Sequence, residues 1–352
     1  MEISLLAARP QKMVGKYGRN KCLPSPEETV ATGWKPEGLS DDEVEDGEAY
    51  HRTLYRDGDI ENPAEWHKES IEKLVDLSIP HISQGSLVVD YGSGTGGSAI
   101  ELLKALDRKG VSIELVMIDP LVSWFAKARQ LLGERDGVHF ELSIEQDHSG
   151  STSFRRLEDM LHGRKADVII SSSTLHLVPA RAMGDLAMQF AGSLVPGGVL
   201  VWDSGDLESD FRPRNSALLH DPYRFVRELL RDDESRKVLL SAMAKGDAER
   251  SERRLDRIFP LPFPVEVILD AMSEAGFSTE ISEKVVNFSN EDAERFVLVP
   301  RLAEIAAPLL EGDGRTKAIR SALRYALSTI ASQGRGSENY YRSHWIYGIH
   351  RI

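Results

Sequence analysis

Leu87-Val88-Val89-Asp90-Tyr91-Gly92-Ser93-Gly94-Thr95-Gly96-Gly97 decides how the rest of the chain is read. Three apolar residues run into a carboxylate. A loop with four glycines follows, then an apolar-periodic stretch over 98–106. That order reads as a buried strand, a tight turn and a helix N-terminus. Glycines let the backbone take positive φ and let a ligand lie against bare main chain. The helix start offers N–H groups with no intrahelical partner. The unit therefore suits a small nucleotide-like ligand.

Gly92-x-Gly94-x-x-Gly97 also satisfies the dinucleotide fingerprint, a weak signal taken alone. Asp90 tips the balance. A carboxylate two residues before the first glycine would repel a pyrophosphate but suit a ligand carrying an ammonium and a sulfonium. The Asp-x-Gly-x-Gly-x-Gly run from Asp90 to Gly96 resembles motif I of the class I S-adenosylmethionine-dependent methyltransferases. Other segments fit that family in order. Ile113-Glu114-Leu115-Val116-Met117-Ile118-Asp119 is a second apolar strand ending in an acid. Asp167 to His176 resembles the fourth strand and its loop, and Leu194-Val195-Pro196-Gly197-Gly198 into Val199-Leu200-Val201-Trp202 the fifth strand.

The resemblance implies a set of roles. Asp90 faces the ammonium through water, and Tyr91, Gly92, Ser93, Gly94 and Gly96 pass close to the methionine half. Asp119, followed by Pro120, accepts from both ribose hydroxyls. Leu121 and Trp124 either flank the adenine or pack in the core. The family often places an acid near the adenine amino group; here that position is Ile144, and Glu145 follows it. Ser171 completes the cofactor set. His176 is the candidate general base, since an unperturbed pKa near 6.5 suits proton abstraction at neutral pH; a histidine that merely shapes the site is the alternative. Tyr55 is a second catalytic candidate. Tyr223 and Trp202, with Tyr340, Tyr341, His344 and Trp345 behind them, are candidates for the substrate side, where aromatic faces stabilise a sulfonium. No His/Asp/Glu group has metal-ligand spacing, so no metal is expected.

The balance of charge is acidic, net −13, which argues against non-specific nucleic-acid binding. A single cysteine, Cys22, excludes an intramolecular disulfide and a thiolate cluster. No cleavable signal and no membrane-length apolar run is visible, so a cytoplasmic protein is expected, with a small-molecule substrate, no nucleic-acid or membrane partner, and a monomeric or homodimeric state.

Alternation of strand and helix predicts an α/β, Rossmann-like, seven-stranded, mostly parallel sheet with helices on both faces and an antiparallel last strand. Residues 1–62 are expected to form an irregular arm or lid, rich in prolines, with Tyr17, Trp34, Tyr50 and Tyr55 making it aromatic. Residues 63–352 form the binding domain, with helical cap insertions about 205–265 and 290–335. Helices are expected over 64–77, 124–132, 181–194, 221–245, 265–275, 291–310 and 316–332, and late strands over 277–286 and 343–352. The expected activity is methyl transfer from S-adenosylmethionine to a small molecule. The alternatives are reaction at its methionine side chain, by aminocarboxypropyl transfer or by cyclisation releasing methylthioadenosine, and a non-catalytic protein that binds it.

Overall fold

The computed structural model describes residues 34, 36–146, 152–231, 261–308 and 310–352. Tyr17, Cys22 and the stretch 232–260 of the first expected insertion lie outside the described residues.

The core is one sheet of seven strands in the order β3-β2-β1-β6-β7-β9-β8. These are β1 (Leu87–Tyr91), β2 (Glu114–Asp119), β3 (Val138–Leu142), β6 (Ala166–Ser172), β7 (Leu194–Ser204), β8 (Ser278–Ser289) and β9 (Tyr340–Arg351). Strands β1, β2, β3, β6 and β7 pair in parallel, and β9 runs antiparallel between β7 and β8. The fold is Rossmann-like. The short ribbon of β4 (Ile144–Gln146) and β5 (Thr152–Phe154) stands apart from it.

Period-2 alternation explains why the parallel strands are apolar throughout. Val88, Leu115, Met117, Val168, Ile170, Val199 and Val201 enter one layer, and Leu87, Val89, Val116, Ile118, Ile169, Leu200 and Trp202 the other. Both faces are covered, as parallel sheets require. The first layer holds α2 (Glu65–Ser78), α3 (Gly97–Lys109) and α4 (Val122–Leu132); the second holds α5 (Leu157–Met160), α6 (Ala180–Ser193) and α8 (Glu266–Glu274). Helices α7 (Asp221–Arg231), α9 (Asn290–Val297), α10 (Pro300–Ala306) and α11 (Gly312–Ser332) extend the first layer.

Two departures from expectation have local causes. Residues 291–310 are two helices rather than one, because Pro300 forces Val299 into an extended conformation. The end of the arm is ordered: α1 (Asp41–Leu54) starts on a capping box in which Ser40 and Glu43 satisfy each other's backbone N–H groups. Gly47, which reads as a helix weakness, lets α1 approach α4; a Cβ there would come 2.5 Å from the Ser123 carbonyl oxygen. Among the described residues no helix is long and apolar enough to cross a membrane.

Candidate functional site

Strand order reverses between β1 and β6, the switch point whose crevice, beyond the carboxyl ends of the strands, is where open α/β sheets bind ligands. The glycine loop lies there. Gly92, Gly94 and Gly96 have φ of 81°, 53° and 89°. A Cβ on Gly92 would lie 2.2 Å from the Thr174 hydroxyl oxygen, so the loop after β6 presses directly on this turn. Ser93 ties the turn to β2: its hydroxyl donates to the Asp90 carbonyl (2.8 Å) and accepts from the Ile118 amide (3.1 Å).

Three strand-end acids converge on this turn. Asp90 is fully buried; its Oδ2 accepts from Ser98 Oγ at 2.8 Å, while Oδ1 has no partner. Asp119 accepts from the Gly94 amide (2.8 Å) and the Leu121 amide (2.7 Å). Asp203, also buried, accepts from the Ser173 amide at 2.9 Å and from the Ser172 hydroxyl. Burial pushes Asp90 and Asp203 up to about 7 and Asp119 to about 6, and Asp90 and its neighbours repel one another. Among the described residues neither Asp90 nor Asp203 has a base at hydrogen-bond distance.

Helix α1 roofs the crevice. Tyr50 stacks on Trp124 with centroids 3.7 Å apart and planes 10° apart, and its ring passes 3.8 Å from where a Cβ on Gly94 would be. Burial and the Asp119 charge raise the Tyr50 phenol, so it stays neutral. Buried Asp46 pins this roof, accepting from Trp124 Nε1 (2.9 Å), Ser123 Oγ (3.1 Å) and the Arg301 amide (2.9 Å). Leu121 caps α4, and Pro120 and Leu121 are half-buried beside Asp119.

Several sequence candidates sit elsewhere. Trp202, expected on the substrate side, is a core residue whose Nε1 donates to His350 Nε2 at 2.6 Å, because its position on β7 faces the second layer. The Tyr91 side chain turns the same way, edge-on to Phe190 at 5.1 Å, leaving only its backbone at the crevice. Ser171 Oγ is taken up bonding the Tyr91 carbonyl at 2.9 Å. Tyr55 is fully buried with its hydroxyl donated to Glu101 (3.0 Å), and burial raises its phenol far above the usual value. Tyr223 is buried too and donates to the Leu302 carbonyl at 3.0 Å. Trp345 lies in the core and Tyr341 donates to the Leu219 carbonyl, whereas His344 is buried 3.3 Å from Glu283. Tyr340 is half-buried at the start of β9. Ile144 and Glu145 are on the β4–β5 ribbon, with Glu145 exposed. His176 is buried after β6, with Nδ1 3.0 Å from Ser204 Oγ, and burial pulls it down to about 3.

The sequence reading named Tyr50 only among the aromatics of the arm or lid, and it passed over Asp203 and Asp46. Asp203 repeats the signal that picked out Asp90 and Asp119, an acid ending an apolar strand. Asp46 and Tyr50 carry no such mark.

No family model matches the chain. The carboxy-S-adenosyl-L-methionine synthase of Desulfotalea psychrophila is 27% identical over 145 residues, 40% of this chain and 53% of that protein. The chain therefore spans about half the length of this curated relative. It resembles the class I S-adenosylmethionine-dependent superfamily. Among solved structures, a cyclopropane synthase from Mycobacterium tuberculosis gives a TM-score of 0.46 at 13% identity, covering 89% of this chain and 94% of that one. The Haemonchus contortus phosphoethanolamine N-methyltransferase 2, solved with S-adenosyl-L-methionine, gives 0.41 at 16%, covering 90% and 61%.

Proposed function

We propose that the chain binds S-adenosylmethionine at the β1–α3 turn and transfers its methyl group to a small molecule by in-line displacement. One observation carries this reading: Asp90, Asp119 and Asp203 are desolvated around a glycine turn, and Asp90 Oδ1 has no partner. A buried carboxylate without a counter-charge is costly, and an incoming cation removes that cost. Asp119 keeps lone pairs beyond its two backbone bonds and can accept from a diol. The resemblance at Asp90 to Gly96 and the name of the curated relative support the same ligand.

When bound, S-adenosylmethionine supplies an electrophilic methyl group on a sulfonium leaving group. The chain's residues then need mainly to align the partners and exclude water. The Tyr50–Trp124 stack covers the turn, and the ionised acids hold the cationic end. His176 is neutral at physiological pH, so it can accept or donate a hydrogen bond there without carrying charge.

The relative's name favours a second reading, in which S-adenosylmethionine is itself the molecule altered. Mass spectrometry of the protein incubated with S-adenosylmethionine and cell metabolites separates them. S-adenosylhomocysteine supports methyl transfer; methylthioadenosine or a carboxylated cofactor supports the second reading. Intact S-adenosylmethionine under every condition contradicts both and leaves a binding protein.

A further inference from the structure

Beyond the crevice, the fold gathers three side chains that are far apart in sequence. His176 follows β6, Asp206 follows β7, and His220 precedes α7. One potential ligand atom from each lies within 4.8 Å of the others, and all three residues are buried. We propose that His176, Asp206 and His220 form a binding site for a divalent transition-metal ion of the zinc or cobalt class.

The donor set is two imidazoles and a carboxylate, the combination such ions favour. His176 is 3% exposed, and its Nε2 has no hydrogen-bond partner. Its other nitrogen, Nδ1, lies 3.0 Å from Ser204 Oγ. That is the outer contact that fixes the ring of a metal-binding histidine, with the second nitrogen turned toward the ion. His220 Nδ1 lies 3.0 Å from Asp206 Oδ2. Two ligands about 2.1 Å from one ion are roughly 3.0–3.4 Å apart, so this edge already has the span required. The His176 and His220 rings lie 5.2 Å apart, centroid to centroid, tilted by 49°.

Arg224 is the apparent obstacle, since its guanidinium forks onto both oxygens of Asp206, with Nη1 to Oδ1 at 3.0 Å. It also has a second carboxylate, Asp221, at 3.6 Å. Each carboxylate oxygen has two lone pairs. Oδ2 can therefore keep Arg224 on one and bind an ion on the side facing His220. Phe296 stacks on His220 at 5.4 Å and dries that flank.

The site does not depend on the cofactor reading, and its test needs no turnover. The full, tag-free chain is stripped with chelator, then titrated with Zn2+ by calorimetry and with Co2+ by visible absorption. The expected result is one ion per chain, with X-ray absorption of the Zn2+-loaded protein showing two imidazoles. His176→Gln and His220→Gln should each weaken binding by more than about tenfold, a loss that outer-sphere changes alone can produce. No ion bound to the stripped parent chain overturns the proposal. So does binding that persists unchanged in folded variants. Should the variants fail to fold, the absorption spectrum of the parent decides: fewer than two imidazoles overturns it as well.

Discussion

The carboxyl edge of the sheet carries two buried polar clusters that solve the same electrostatic problem differently. On the β1–β2 side, Asp90 is buried beside a glycine turn, and burial lifts it to about 7. On the far side of β7, Asp206 is equally buried yet held well below its usual value by His220 and Arg224. Among the described residues one acid has its base and the other does not. A buried carboxylate with its own base is held charged in the fold. One without a base is either protonated or waiting for a cation to arrive. Burial alone does not fix the charge of such an acid, whereas the identity of its partners does.

The same substitution at the two acids should therefore have opposite signs. Asp206→Asn removes the carboxylate charge that both Arg224 and His220 face, and should cost about 3 kcal/mol of unfolding free energy in denaturant melts, the low end for breaking a buried pair. Asp119→Ala should reduce S-adenosylmethionine affinity by about a hundredfold or more in calorimetry, roughly 3 kcal/mol, while leaving the fold intact. Unchanged affinity would refute the ribose assignment. Asp90→Asn should stabilise the ligand-free chain by about 1–3 kcal/mol at alkaline pH. Burial lifts Asp90 to about 7 in the fold from its ordinary 3.8, so its ionised form costs stability above pH 7 and that cost is gone at low pH. The gain from Asp90→Asn should accordingly vanish near pH 4; a gain that is constant with pH would mean the carboxylate is not desolvated. Smallest is Gly47→Ala. Its methyl group would meet the Ser123 carbonyl, lift α1 from α4 and weaken ligand binding by about tenfold, with about 1 kcal/mol lost in stability.

Much of the sheet was legible because parallel strands are buried on both faces and read as unbroken apolar runs. The strand ends were legible for the same reason: an acid at Asp90 or Asp119 interrupts such a run conspicuously. The roof was not. Residues 41–54 look acidic and glycine-interrupted, and the Ser40 capping box, the Asp46 hydrogen bonds and the fit of Gly47 against Ser123 make a packed helix of them. Trp202 and Tyr55 show the opposite failure. An aromatic near a strand end or loop suggests a ligand wall, but strand parity turns Trp202 into the second layer, and Glu101 captures the Tyr55 hydroxyl. The His176–Asp206–His220 group was invisible because its spacing along the chain matches no ligand motif; three separate connections bring it together. The expectation of no metal rested on that spacing.

Titration calorimetry of the parent chain with S-adenosylmethionine, repeated from about pH 8 to about pH 5.5, addresses the unpaired acids most directly. Binding on the order of micromolar at the alkaline end, weakening progressively as Asp90, Asp203 and then Asp119 take up protons, is the predicted result. No binding, or an affinity indifferent to pH across that range, would contradict it.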